Sequence, residues 1–152
     1  MLAVNFDEPG GPEVLKLTEI SIPKINENEV LIKVKSAGVN RPDVIQRQGN
    51  YPAPSGHSKI LGLEVSGIIE KVGDNVKKFL VGDKVGALVN GGGYAEFCKA
   101  NQSSVFHIPK NLSFNEAACI PECFFTAWSN IIMRGRLKKN QKILIHGGTS
   151  GV

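Results

Sequence analysis

The residues with the clearest chemical capability lie at the end of the chain. Lys142-Ile-Leu-Ile-His146 is an apolar run rich in branched side chains, and Gly147-Gly-Thr-Ser-Gly151 follows it directly. A strand running into a glycine-rich turn is a form that cradles phosphate, because glycine lets backbone N–H groups approach the ligand closely. Gly148, Ser150, Gly151 and Val152 are therefore candidates to hold the pyrophosphate of a dinucleotide. The helix and the acidic residue that complete such a site would fall beyond Val152. These residues are expected to begin a cofactor domain, not to complete one.

The other reactive residue types point to less. His57, His107 and His146 lack the spacing of metal ligands. Cys98, Cys119 and Cys123 cannot all pair internally, and are expected as reduced thiols in or near a core. No activating base is evident beside Cys123, so a nucleophilic role is not expected there.

A chain of 152 residues, 41% hydrophobic and 21% charged, can bury a real core. It has no apolar run long enough to span a bilayer, and Met1-Leu-Ala-Val-Asn-Phe-Asp-Glu8 lacks the marks of a secretory signal. A cytoplasmic protein with no membrane partner is expected. The net charge of +4 comes from scattered lysines and arginines. Their densest cluster, Arg134-Gly-Arg-Leu-Lys-Lys139, falls where a helix should end, and cations suit that end of the helix dipole. A nucleic-acid partner is not expected.

The first two-thirds has the texture of β structure. Strands are predicted over Leu2–Phe6, Val14–Ile22, Val30–Val39, Leu63–Val72, Lys84–Val89, Tyr94–Lys99 and Val105–Ile108, separated by turns rich in Gly, Pro and Asn. So many short strands suggest a barrel or sandwich. A helical turn or two is predicted over Asn40–Gln48, with Asn40 as N-cap. Ser113-Phe-Asn-Glu116 has capping-box spacing and opens a short helix that Pro121 ends. Pro121 also opens a second helix, on which Phe124, Phe125, Trp128, Ile131 and Ile132 share one face. That face is expected in the core, with Gly135 just beyond the helix. Lys142–His146 is predicted as the final strand.

Several segments together carry a resemblance. Glu29-Val-Leu-Ile-Lys-Val34, Ala37-Gly-Val-Asn-Arg-Pro-Asp43, Leu61-Gly-Leu-Glu-Val-Ser-Gly67, Val81-Gly-Asp-Lys-Val85 and Gly91-Gly-Gly-Tyr-Ala-Glu96 stand in the order of the medium-chain dehydrogenase/reductase superfamily. Within it, Gln46-Arg-Gln-Gly-Asn-Tyr-Pro52 and the His-Gly-Gly-Thr-Ser-Gly ending resemble the zinc-free quinone oxidoreductase (zeta-crystallin-type) branch. The resemblance implies a mainly β GroES-like twisted barrel over residues 1–120. A bridging helix and the first strand and glycine turn of a Rossmann domain would follow over 121–152.

The resemblance also implies an NADPH-dependent quinone oxidoreductase that transfers hydride to a quinone or activated enone. Tyr51 and Asn40 are the implied donors beside nicotinamide and substrate, and Thr126 lies at the nicotinamide end; a hydroxyl bonded back into its own helix is the plainer role for Thr126. Glu64 is either a buried carboxylate organising the cleft or one that handles protons. An enoyl reductase, or a binding or structural module without catalysis, are the alternatives. A homo-oligomer is expected, as is apolar surface through which the 152-residue chain associates with itself while binding NADPH poorly.

Zinc alcohol dehydrogenases place a Cys ligand where this chain has Asn40, a His where it has Leu63, and a later Cys where it has Glu122. An amide and a leucine cannot replace thiolate and imidazole, so no zinc site is expected. A site without that Lewis acid suits an acceptor that delocalises the incoming charge, as quinones and enones do. Elemental analysis of the purified protein should find far less than one zinc per chain; a stoichiometric ion would overturn this assignment.

Overall fold

The computed structural model describes residues 1–152. A two-stranded sheet pairs β1 (Leu2–Asn5) with β2 (Lys16–Glu19). A five-stranded antiparallel sheet contains β3 (Glu29–Ala37), β4 (Glu64–Val72), β5 (Lys84–Leu88), β6 (Phe97–Asn101) and β7 (Val105–His107), in the order β6-β3-β4-β5-β7. Each strand lies within about two residues of its predicted span except β2, which stops three residues short of Ile22, and β6, which is displaced towards the C-terminus. There Tyr94 is taken by the preceding turn, where its N–H reaches the Leu61 carbonyl at 2.9 Å. No ladder joins the edge strands β6 and β7, so the expected barrel is a coiled sheet left open at one seam. Two register shifts between β3 and β4, at Leu31/Ile32 and Val34/Ser36, bend the long central strands.

The core lies on one face of this sheet. Val30 and Ile32 of β3, Val65 and Ile69 of β4, Val85 and Ala87 of β5, and Cys98 and Ala100 of β6 bury together. Their alternation along β3 and β6 is the two-residue period of a half-buried strand. Burial pushes the Cys98 thiol up to about 12, which leaves it a small apolar side chain.

Short helices sit at the rim. α1 (Arg41–Arg47) begins after Asn40, which holds the extended backbone of an N-cap. α2 (Phe114–Ala118) has the predicted capping box: the Glu116 N–H donates to Ser113 Oγ at 3.3 Å, and the Ser113 N–H to Glu116 Oε2 at 2.8 Å. Ser66 Oγ fixes α2 to β4 by donating to the Phe114 carbonyl at 2.6 Å.

Residues 121–134 form one helical run, with α3 (Thr126–Trp128) flanked by the wide π turns Pro121–Phe125 and Ser129–Arg134. The sequence predicts its apolar face in the core, but the structure leaves much of that face outside it. Phe124 and Trp128 are 64% and 61% exposed, and only Phe125 finds a ring partner, meeting Phe106 edge-on at 5.9 Å. Helical spacing marks a face for burial, but no element of this chain covers Phe124 or Trp128. Gly135 follows the run with ordinary right-handed backbone, and it is Arg136, at φ 51°, that takes the left-handed turn.

The predicted Rossmann strand is also absent. Lys142–His146 has no ladder partner, and Ile143, Leu144 and Ile145 are exposed. A parallel strand exists only between neighbours that satisfy its backbone, and none is present here. The glycine turn does form, with Gly147 at φ 68° and the Ser150 N–H closing on the Gly147 carbonyl at 2.9 Å.

Ile32 is fully buried at the centre of the core. Ile32→Ala should therefore destabilise the chain by about 2–5 kcal/mol, read as a lower urea midpoint with an unchanged slope.

Candidate functional site

Two buried carboxylates organise the region where α1, β4 and the bridging helix meet. Asp43, in the first turn of α1, is 3% exposed and accepts three hydrogen bonds. Oδ2 takes the Asn40 N–H and the Tyr94 hydroxyl, each at 2.9 Å, and Oδ1 takes the Gly62 N–H at 2.9 Å. Tyr94 also lies 3.2 Å from the Gly38 carbonyl, so its single proton sits between Asp43 and Gly38. Burial, then the charge of Asp43, raises the Tyr94 phenol above its ordinary range, which keeps it a donor.

Glu64, at the start of β4, is 2% exposed. Its Oε1 accepts from Asn40 Nδ2 at 2.8 Å and its Oε2 from the Glu122 N–H at 2.9 Å. The Glu64 side chain thus joins the N-cap of α1 to the first turn of the bridging helix. Of the two roles open to it in the sequence, these bonds describe the organising one. Gly38 is small because Glu64 passes against it: a Cβ there would come within 2.0 Å of Oε1.

Asn40 therefore holds the N-cap position while its side-chain amide reaches across the cleft to Glu64. Thr126 donates its hydroxyl back to the Glu122 carbonyl, the plainer of its two readings. A hydrogen-bonded path thus runs from Asn40 through Glu64 and the Glu122 backbone to Thr126. Thr126, Gly148, Ser150 and Val152 line one groove of about 1010 Å³ between the bridging helix and the terminal segment, where Ile131 and Leu144 supply apolar wall. Gly151 lies outside that lining, against Cys123: a Cβ on it would be 3.9 Å from Sγ. Tyr51 is separate from the path. It is 49% exposed, in the loop after α1.

Asp43 and Tyr94 were not singled out from sequence, though a signal for Asp43 was present. Asn40-Arg-Pro-Asp43 has the spacing of an N-cap and its reciprocal acid, and the Asp43 carboxylate does return to the Asn40 N–H. Nothing local marks Tyr94, because its partners lie 56 and 51 residues away.

Three acids approach one another here without forming a metal centre: no group of three or more His, Cys, Asp or Glu side chains is arranged to hold an ion. Burial, then Glu64, then Asp43 raises the Glu122 carboxyl above its ordinary value. Burial, then the charges of Glu64 and Glu122, raises the Cys123 thiol, which opposes the thiolate a nucleophile needs.

The alcohol dehydrogenase GroES-like domain family matches residues 26–125, which include every residue of the two carboxylate clusters. The chain belongs to that family, within the medium-chain dehydrogenase/reductase superfamily. Among its GroES-like relatives is human quinone oxidoreductase, 39% identical over all of this chain and 47% of its own length. The solved human synaptic vesicle membrane protein VAT-1 homolog-like protein superposes with a TM-score of 0.87 at 35% identity, covering 99% of this chain and 49% of that one. A mycobacterial protein solved in complex with NADPH superposes at 0.83, with 33% identity over 97% of this chain and 46% of that one. The chain spans about half the length of these relatives.

The raised Glu122 carboxyl fixes the sign of a pH effect. An acid whose pKa is higher folded than unfolded favours the folded state fully below its unfolded pKa and loses that contribution as pH rises through the folded value. Glu122→Gln removes this loss. Its melting temperature should exceed that of the wild type near about pH 7 and match it near about pH 3.5. Thermal melts at both pH values check this, and an equal difference at the two would refute it.

Proposed function

We propose that this chain is the substrate-side domain of an NADPH-dependent quinone reductase, which passes hydride to a quinone or activated enone. The observation that carries the proposal is the path from Asn40 through Glu64 and the Glu122 backbone to Thr126. It joins two half-buried polar residues across the junction of sheet and bridging helix, where the family resemblance implies that nicotinamide meets substrate. The likeness to human quinone oxidoreductase supports the same reading.

The residues present fit one end of such a cofactor and not the other. Asn40 and Thr126 are polar, half-buried and held in place, as a nicotinamide amide requires. The glycine turn has no strand ahead of it, and the Ser150 N–H is already spent on the Gly147 carbonyl. A pyrophosphate finds no row of aimed donors there, and the 152-residue chain alone is expected to bind NADPH weakly. The cofactor, when bound, supplies the hydride. The part assigned to this chain is to orient the acceptor and to donate hydrogen bonds to its oxygen, through Asn40 and Tyr51. The exposed faces of Phe124 and Trp128 support the companion proposal of a homo-oligomer.

In the whole protein, Tyr51→Phe should lower kcat/KM for a simple quinone by roughly 3- to 30-fold, about 0.7–2 kcal/mol, with NADPH affinity nearly unchanged. The ring is kept, so a tyrosine that only packs would leave the rate alone. Steady-state assays of wild type and variant with a quinone and a thioester enone test both substrate readings. Reduction of the thioester alone would transfer the assignment to enoyl reduction, and turnover of neither would leave a binding module.

A further inference from the structure

Tyr94 has no place in the reaction proposed above, yet its hydroxyl lies at the centre of the backbone that presents Asn40. It stands 2.9 Å from Asp43 Oδ2, three residues after Asn40, and 3.2 Å from the Gly38 carbonyl, two residues before it. The same Oδ2 receives the Asn40 N–H at 2.9 Å. One phenol therefore ties the backbone on both sides of Asn40 to the turn that carries Tyr94.

That turn is itself held rigidly. The Tyr94 N–H donates to the Leu61 carbonyl at 2.9 Å, the Tyr94 carbonyl accepts the Val4 N–H at 2.8 Å, and the Gly93 N–H reaches the Gly62 carbonyl at 3.1 Å. The ring packs so closely on Gly62 that a Cβ there would lie 2.7 Å from Cδ1. Gly62, at φ 98°, also sends its N–H to Asp43 Oδ1. Ring, turn and carboxylate therefore close on one another without a side chain to spare.

We propose that Tyr94 is a positioning residue: its hydroxyl, through Asp43 and the Gly38 carbonyl, holds Asn40 at the distance from Glu64 at which the Asn40 amide meets substrate and nicotinamide. The role in reduction rests on the function proposed above; the role in holding Asn40 rests on geometry alone. In this role the phenol is assigned no contact with acceptor or cofactor: its hydroxyl is taken up by Asp43 and Gly38, and it acts by restricting where Asn40 stands. Groups linked in one such network lose their effects together and not additively.

The test has two arms. In the first, the side-chain amide of Asn40 is followed by nitrogen-15 NMR in the deuterated whole protein, so that self-association does not hide the signals. Tyr94→Phe should shift the Asn40 amide resonances and speed their exchange with water by roughly tenfold, while thermal melts show the variant folded. Unmoved Asn40 signals in a folded variant would overturn the proposal. Should Tyr94→Phe fail to fold, 3-fluorotyrosine placed at position 94 keeps the hydroxyl and strengthens it as a donor; the Asn40 amide signals should still shift, and unmoved signals would overturn the proposal.

In the second arm, Tyr94→Phe in the whole protein should lower kcat/KM for a quinone by roughly 3- to 10-fold, and should add nothing to Asn40→Ala. Additive losses would show that Tyr94 acts apart from Asn40 and refute the positioning role. Shifted Asn40 signals in a protein that reduces no quinone would sink the proposed function while the structural link stands. Unmoved signals in an active enzyme would do the reverse.

Discussion

A carboxylate with almost no exposure must find donors or lose its place, and Glu64 finds them on two different elements. Burying an unpaired carboxylate costs several kcal/mol, so its two bonds are a condition for β4 beginning where it does. One donor is the Asn40 amide and the other is the Glu122 backbone N–H at the head of the bridging helix. A helix leaves its first N–H groups without partners inside the helix, and one of them is here satisfied by a side chain from the sheet. The position of α1 and the departure of the bridging helix are therefore set by the same carboxylate. Gly38 follows from it, since any side chain there would displace Glu64.

Asp43 does for the entry of α1 what Glu64 does for the junction. It accepts from Asn40, Tyr94 and Gly62, which belong to three separate stretches of chain. Removing any one donor leaves a buried acceptor partly unmet, which is the expensive side of hydrogen bonding. Two carboxylates acting in series thus leave Asn40 little freedom: Asp43 fixes its backbone and Glu64 its amide. In the reductase proposed above, donors held this way before any ligand arrives would spare the reaction the cost of ordering them.

Much of this was legible in the residues. Strand periodicity placed the central sheet, Ser113-Phe-Asn-Glu116 placed α2, and Asn40 fell at its N-cap because polar residue types and a following proline mark helix starts wherever they occur. What was not legible depends on partners distant in sequence or not in this chain. Phe124 and Trp128 have core spacing without a core to enter, and Lys142–His146 has strand composition without a ladder. Periodicity reports which face seeks burial, never whether something is there to bury it. Tyr94 escaped for a related reason, since its partners approach only after β3, α1 and β4 have been brought together.

The electrostatics of the junction bear on which acceptor the proposed reductase would take. Asp43, Glu64 and Glu122 lie close enough that the first two help raise the carboxyl of the third, so the local field opposes added negative charge. Hydride transfer to a simple ketone would concentrate that charge on a single oxygen in this field. A quinone or enone spreads the charge along a conjugated system and carries much of it away from the acids. Asn40 suits such an acceptor, for a neutral amide drawn towards Glu64 still offers its second N–H, and polarisation along the chain of hydrogen bonds strengthens the donors that remain. The acids that keep Asn40 in position thus also favour an acceptor that needs only a neutral donor.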